Sequence, residues 1–305
     1  MTDLTETLDL ASGRLTASVA LLGAELQTLA DAGGRALLWH GDAAWWTGRA
    51  PLLFPIVGSL ANDRHTIDGI AYTLPKHGFA RRSRFVVVAR TADAATLRLV
   101  DDATTRAAYP YRFQLDVTYA LDGATLSHSV TVANRDTKPI PVGFGFHPAF
   151  LWPLPGAGAR AAQTLSFEAD EPTPAWRIDA DGLVARQEPA TRIIDRQLVL
   201  TDDLFDEDAL LLLEPASRRV RFGAGDGSGT ALDIRFPDMP HLGVWTKPDG
   251  APYLCIEPWH GYASPASFTG SLMEKPGMAI LAPGEVRTYA MTVTVVAPDT
   301  NGLFG

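Results

Sequence analysis

A period of two governs most of the chain. In ATLSHSVTVAN (124–134), Leu126, His128, Val130 and Val132 fall on one face, and Thr125, Ser127, Ser129 and Thr131 on the other. RFQLDVTYAL (112–121) puts Phe113, Leu115, Val117 and Tyr119 on its apolar side, and RTYAMTVTVV (287–296) repeats the pattern. RFVVVAR, TLRLV, ALLLLE, RRVRF, ALDIRF and YLCIEPW add shorter strands. Between them lie turn pairs, namely Asp68-Gly69, Asp122-Gly123, Asp181-Gly182 and Asp249-Gly250, and the glycine-rich run 223–229. A strand, a tight Asp-Gly turn and a second strand read as an antiparallel hairpin. Only GDAAWWTGRA (41–50) and SFTGSLMEK (267–275) leave room for a helical turn or two, which argues against a βαβ architecture. The prediction is an all-β protein, one large antiparallel β-sandwich domain over 1–305 with few short helices. The proline- and glycine-rich 153–160 (PLPGAGAR) reads as a surface loop within it rather than a linker.

Composition narrows the function. The chain has 305 residues, 46% of them hydrophobic, so a large core is available. Its net charge is -9, from 26 Lys and Arg against 35 Asp and Glu, and no basic run exceeds two residues. Such a surface repels phosphate backbones, so no nucleic-acid partner is expected. One cysteine, Cys255, permits neither an intrachain disulfide nor a cysteine cage for zinc and fits a reducing compartment. The opening MTDLTETLDL has no signal-peptide pattern and no apolar run is long enough to span a bilayer, so a cytoplasmic protein with no membrane partner is expected. GAGDGSG (223–229) does not fit a dinucleotide fingerprint, and no G-x-S-x-G, H-E-x-x-H or P-loop occurs.

Three segments join a titratable group to special backbone: PKHGFARRSRF (75–85), GFGFHPAF (143–150) and CIEPWHG (255–261). Each sets a His or Glu at the end of an apolar strand, with Gly or Pro within two residues. Strand ends are where a rigid scaffold presents side chains to a ligand. Singly, each residue has a plain structural reading. His147 beside phenylalanines fits a hydrogen-bonded core histidine as well as an active one, His77 fits a turn, and His128 in mid-strand fits the core. Glu257 is harder to explain, because a carboxylate buried without a partner is costly. His260 reads as a surface or supporting residue. Trp39, Trp45, Trp46 and Trp245 read as core, though an aromatic face also suits the C–H face of a sugar ring. A carboxylate with one or two imidazoles, and no metal framework or nucleophile elbow, suggests general acid–base catalysis.

RAPLLFPIVGSLAND, DGIAYTLPKHGFAR, NRDTKPIPVGFGFHPAF and CIEPWHG, in this order over 49–261, resemble the aldose 1-epimerase (mutarotase) family, with wording nearest its LacX-like branch. The resemblance implies the galactose mutarotase-like β-sandwich, a small-molecule sugar substrate, and interconversion of the α and β anomers of a free aldose without cofactor or metal. It makes Glu257, ionised, the base at the C1 hydroxyl, His147, protonated, the acid at the ring oxygen, and His77 a hydrogen-bonding partner of the sugar. Asn62 and Arg64 would contact sugar hydroxyls, with Asp63 interrupting the usual wording, and Asp206 would bind the sugar. Gly243 stands two residues before Trp245 where better-known members carry Gln, leaving one sugar contact missing or supplied by Lys247. A hexose-6-phosphate epimerase, with Arg81, Arg82 and Arg84 at its rim, and a non-catalytic carbohydrate-binding protein are the alternatives. The protein is expected to be a monomer or homodimer.

Overall fold

The computed structural model describes residues 6–297. The opening pentapeptide, on which the reading of the N-terminus partly rests, lies outside them. Two antiparallel sheets dominate. The larger has nine strands, whose centre is Ala231–Arg235, Val286–Val296, Thr125–Asn134, Phe113–Asp122 and Ala94–Val100 in that spatial order. The smaller has seven, with His241–Trp245 and Tyr253–His260 at its heart and the short strands Phe144–Gly145 and Ala149–Leu151 both paired to Tyr253–His260. The result is the β-sandwich that the alternation predicts.

The alternation also sets the core. Phe113, Leu115, Val117, Tyr119 and Leu121 are all buried, as are Leu126, His128, Val130 and Val132 across from them. Leu254 and Ile256 meet them from the smaller sheet, in one apolar cluster that runs from Leu8 to Val293. The loop 153–160 is part of this body: Leu154 and Ala157 are buried in the same cluster, and Arg160 Nη1 donates to the Trp152 carbonyl at 2.7 Å.

Two expectations need correction. Helix is nearly absent from 41–50, which forms turns, while 267–275 holds a 3₁₀ turn at Leu272–Glu274. The one α-helix among the described residues, Ala103–Ala108, was not foreseen. Its six residues are too few for a periodic apolar stripe, and its signal is the capping box of Asp102 and Thr105. No helix among the described residues is long and apolar enough to cross a membrane.

His128 is the core histidine its mid-strand position implies. It stacks on Tyr119 at 3.9 Å, its Nε2 has no partner, and burial pushes its pKa down to about 3. The unfolded chain takes up a proton here near pH 6.5 and the folded chain does not, so stability is lost as pH falls below 6.5. His128→Leu is expected to remove about 2 kcal/mol of the stability difference between pH 8 and pH 5. Urea unfolding of both proteins at the two pH values checks this, and an unchanged difference would contradict it.

Candidate active site

The strand Tyr253–His260 is buried on both faces, and its two faces do different things. Leu254 and Ile256 enter the sandwich core, whereas Cys255, Glu257 and Trp259 point away from it. A second, smaller apolar cover lies over that outer face. Leu53, Val57, Leu211 and Ala263 pack around Trp259, and Trp45, Trp46 and Trp245 pack around Tyr253 and Cys255. Between them opens a cleft holding His77, His147 and Glu257, with about 440 Å³ of free space counted out to solvent.

The same alternation explains the apolar wording around His147. Phe144, Phe146 and Phe150 point into the core, where Phe144 and Phe146 rings meet at 4.9 Å and Phe146 meets His128 at 4.7 Å. His147 emerges on the other side. Its ring neighbours are Trp46 at 5.0 Å, His77 at 5.8 Å and Trp245 at 6.1 Å, rather than the phenylalanines next to it in sequence. Phe146 N–H donates to the Pro258 carbonyl and Ile256 N–H to the Pro148 carbonyl. These bonds lock the His147 segment to the strand that carries Glu257.

His147 Nε2 consequently lies 3.2 Å from Glu257 Oε2. Both side chains are buried. Burial pushes the Glu257 carboxyl well above the usual carboxylate range, with Lys76 opposing and Asp208 reinforcing the rise. The Trp259 indole N–H also opposes it, from a position near the carboxyl but outside hydrogen-bond geometry. Burial pushes His147 down to about 3. The two shifts have one cause: a low-dielectric site disfavours each charge. Both directions favour one proton on the carboxyl, facing a neutral imidazole. The expected ion pair carries the same single proton, placed on the other partner. That proton belongs to the pair rather than to either residue.

His77 is set by backbone. It has a φ of 66° and is followed by Gly78 at 70°, whose absent Cβ would lie 2.2 Å from the Phe54 carbonyl oxygen. Gly58 N–H donates to His77 Nδ1 at 3.1 Å. A ring whose Nδ1 accepts carries its hydrogen on Nε2. Burial, and then His147, Lys76, Arg81 and Arg82, hold His77 well below its ordinary pKa. It is thus a neutral donor through Nε2.

The remaining sequence candidates fall in different places. Trp245 is half-buried beside His147. Lys247 is exposed and donates to the Trp45 carbonyl at 3.1 Å, so it ties down the tryptophan loop and does not line the cleft. The space left by Gly243, which pairs with Glu257, is filled: a Cβ there would lie 2.4 Å from the Trp259 ring. Gly145 makes room for the same indole. Asn62, in a 3₁₀ turn, and Arg64 are absent from the cleft lining; Arg64 lines a separate hollow. Asp206 is exposed and also off the cleft, while Asp208, two residues on and at a φ of 65°, lines it. Asp208 and Lys76 are the two charged lining residues that sequence reasoning missed. Their only signals are proximity to Asp206 and to His77.

The metal-type donors that converge among the described residues are those of His147, Cys255 and Glu257, all within 4.8 Å of one another. His77 is not in that group. Burial pushes the Cys255 thiol well up, away from the thiolate a metal requires.

Residues 6–294 match the family model described as aldose 1-epimerase. The plasmid and chromosomal LacX proteins of Lactococcus lactis subsp. lactis are each 30% identical over 302 residues, covering 95% of this chain and 99% of theirs. A galactose mutarotase related enzyme from Lactobacillus acidophilus superposes with a TM-score of 0.88 at 28% identity, covering 97% of this chain and 99% of its own. A galactose mutarotase-like protein from Lactobacillus casei gives 0.88 at 27%, covering 95% and 100%.

The His77 assignment has a direct check. Nitrogen-15 NMR of the imidazoles is expected to show His77 as the neutral Nε2–H form from pH 8 down to pH 5.5. An imidazolium at pH 6, or the Nδ1–H form, would contradict it.

Proposed function

This chain belongs to the aldose 1-epimerase family and is an isomerase, and we propose that it interconverts the α and β anomers of a free aldose of the glucose or galactose type. The observation that carries the reading is the 3.2 Å contact between a proton donor and a proton acceptor at the floor of one cleft. Anomerisation needs a proton removed from O1 and one delivered to the ring oxygen, with no net change in proton count. A pair that holds one proton between two sites matches that requirement.

In the proposed sequence, sugar hydroxyls replace the direct contact and stabilise the charged arrangement, carboxylate and imidazolium. Glu257 takes the O1 proton as His147 protonates the ring oxygen, and the C1–O5 bond opens to the aldehyde. Rotation about C1–C2 presents the other carbonyl face. The reverse transfers close the ring as the opposite anomer and restore the pair. His77 Nε2–H donates to a sugar oxygen throughout, and the half-buried faces of Trp46 and Trp245 flank the ring. No redox step or activated group enters this balance.

Lys76 and Asp208 both line the cleft, so its formal charges cancel. Arg81, Arg82 and Arg84 do not line it. This favours an uncharged sugar over a hexose 6-phosphate. A protein that only bound sugar would have no use for a buried carboxyl–imidazole pair, whose desolvation is unfavourable.

Polarimetry on freshly dissolved α-glucose and α-galactose tests the proposal. Glu257→Gln and His147→Asn are each expected to lower kcat/KM by roughly 10²–10⁴-fold while the circular dichroism spectrum is kept. Wild-type rates in either variant, or no acceleration by the wild-type protein, would overturn it. The wild-type kcat/KM is expected to stay level from pH 5.5 to 7, because His147 takes a second proton only near pH 3. It then falls on the alkaline side as Glu257, held well above 4.5, releases the shared proton. An acid limb centred near the ordinary histidine pKa would contradict this ordering.

A further inference from the structure

A second hollow lies behind the catalytic cleft. It offers about 870 Å³ of space counted out to solvent, against about 440 Å³ for the cleft. The two share a wall. Gly58 and Ala263 face the cleft, Leu60 and Ser264 face the hollow, and Ser264 N–H donates to the Ser59 carbonyl between them at 2.9 Å.

The charge of this hollow runs against that of the molecule. On a chain of net charge -9, its lining includes Arg64, His65 and Lys275 and no carboxylate. Lys275 is the informative member. Its side chain is 3% exposed, its Nζ donates to the Tyr262 carbonyl, and no carboxylate among the described residues pairs with it. A buried ammonium without a counter-charge is unfavourable, and desolvation accordingly draws Lys275 down to about 7. His65 is buried as well. Its Nε2 is engaged by the Ala108 carbonyl at 2.9 Å, so it carries the hydrogen, while Nδ1 has no partner. Arg64, on the rim, is exposed and has no ion-pair partner among the described residues. Ser264, Thr66 and Thr269 add hydroxyls.

We propose that this hollow binds a phosphate group, with Lys275 as the buried counter-charge and Arg64 as the planar clamp at the rim. An exposed guanidinium, a buried amine that a bound anion would keep protonated and three hydroxyls suit a dianion better than a carboxylate, which presents only two oxygens. The group is either free inorganic phosphate or the monoester of a small metabolite, whose carbon skeleton would lie against Phe268 and Leu60. The site is separate from the catalytic one, and the inference does not rest on the anomerisation reading.

Calorimetric titration of the full chain with inorganic phosphate and, separately, with glycerol 3-phosphate, which is not an aldose, tests it. Saturable binding with Kd of roughly a millimolar or tighter is expected for at least one probe. Tighter binding of the ester identifies a phosphorylated metabolite, and tighter binding of the inorganic ion identifies free phosphate. Arg64→Ala and the volume-conserving Lys275→Met are each expected to weaken binding at least tenfold, with His147→Asn leaving it unchanged. Should Lys275→Met not fold, Arg64→Ala alone decides, since an exposed side chain is removed. Absence of saturable binding for both probes would overturn the proposal. So would binding that survives Arg64→Ala but is lost in His147→Asn, which would place the anion in the catalytic cleft.

Discussion

The contact between Glu257 and His147 is the constraint on which the site is built. Two groups that each prefer water are held 3.2 Å apart where little water reaches. Separately, each would be a costly buried charge or an idle neutral group. Together they hold one proton that either can carry, and the burial that disfavours the ion pair in the cleft as it stands also keeps that proton from bulk exchange partners. The sandwich supplies the precision. Glu257 is fixed within a central strand, and His147 is fixed by backbone bonds from Phe146 and Pro148 to that same strand.

The second constraint is alternation. One strand, Tyr253–His260, serves the core with Leu254 and Ile256 and the cleft with Glu257, so chemistry and stability share a backbone without sharing a face. Around it, small residues define the floor. Gly145 and Gly243 leave the volume that the Trp259 indole occupies, and that ring becomes the wall beside Glu257. A side chain at either position would have to displace the indole. Gly78, forced to a positive φ, brings backbone against Phe54 and holds His77 with its Nε2 free.

Much of this was legible in the sequence, for reasons that can be named. The period of two fixed the sheets and identified Phe113, Leu115, Val117 and Tyr119 as core, because half-buried strands leave that trace in every other residue. Glu257, His147 and His77 stood out because strand ends marked by Gly or Pro are rare places for titratable groups, and the structure brings all three to one cleft. What sequence could not supply was the path of turns. Asp206 and Asp208 lie on the same turn, and its φ values alone decide that Asp208 reaches the cleft. Arg64 follows a reversal at Asn62 and Asp63, both at a φ of 55°, which carries it to the other side of the wall. The environment of the pair was likewise hidden, since the burial that disfavours both charges is created only by the packed cover of tryptophans and Val57, Leu211 and Ala263.

The claim that most of this rests on is that Glu257 holds the shared proton at neutral pH. Difference infrared spectroscopy of the wild-type protein against Glu257→Gln, at pH 7 in the absence of sugar, measures it directly. The account predicts the carbonyl stretch of a protonated carboxyl, present in the wild-type protein and absent from the variant. A carboxylate band in its place, with no protonated-carboxyl signal, would contradict it.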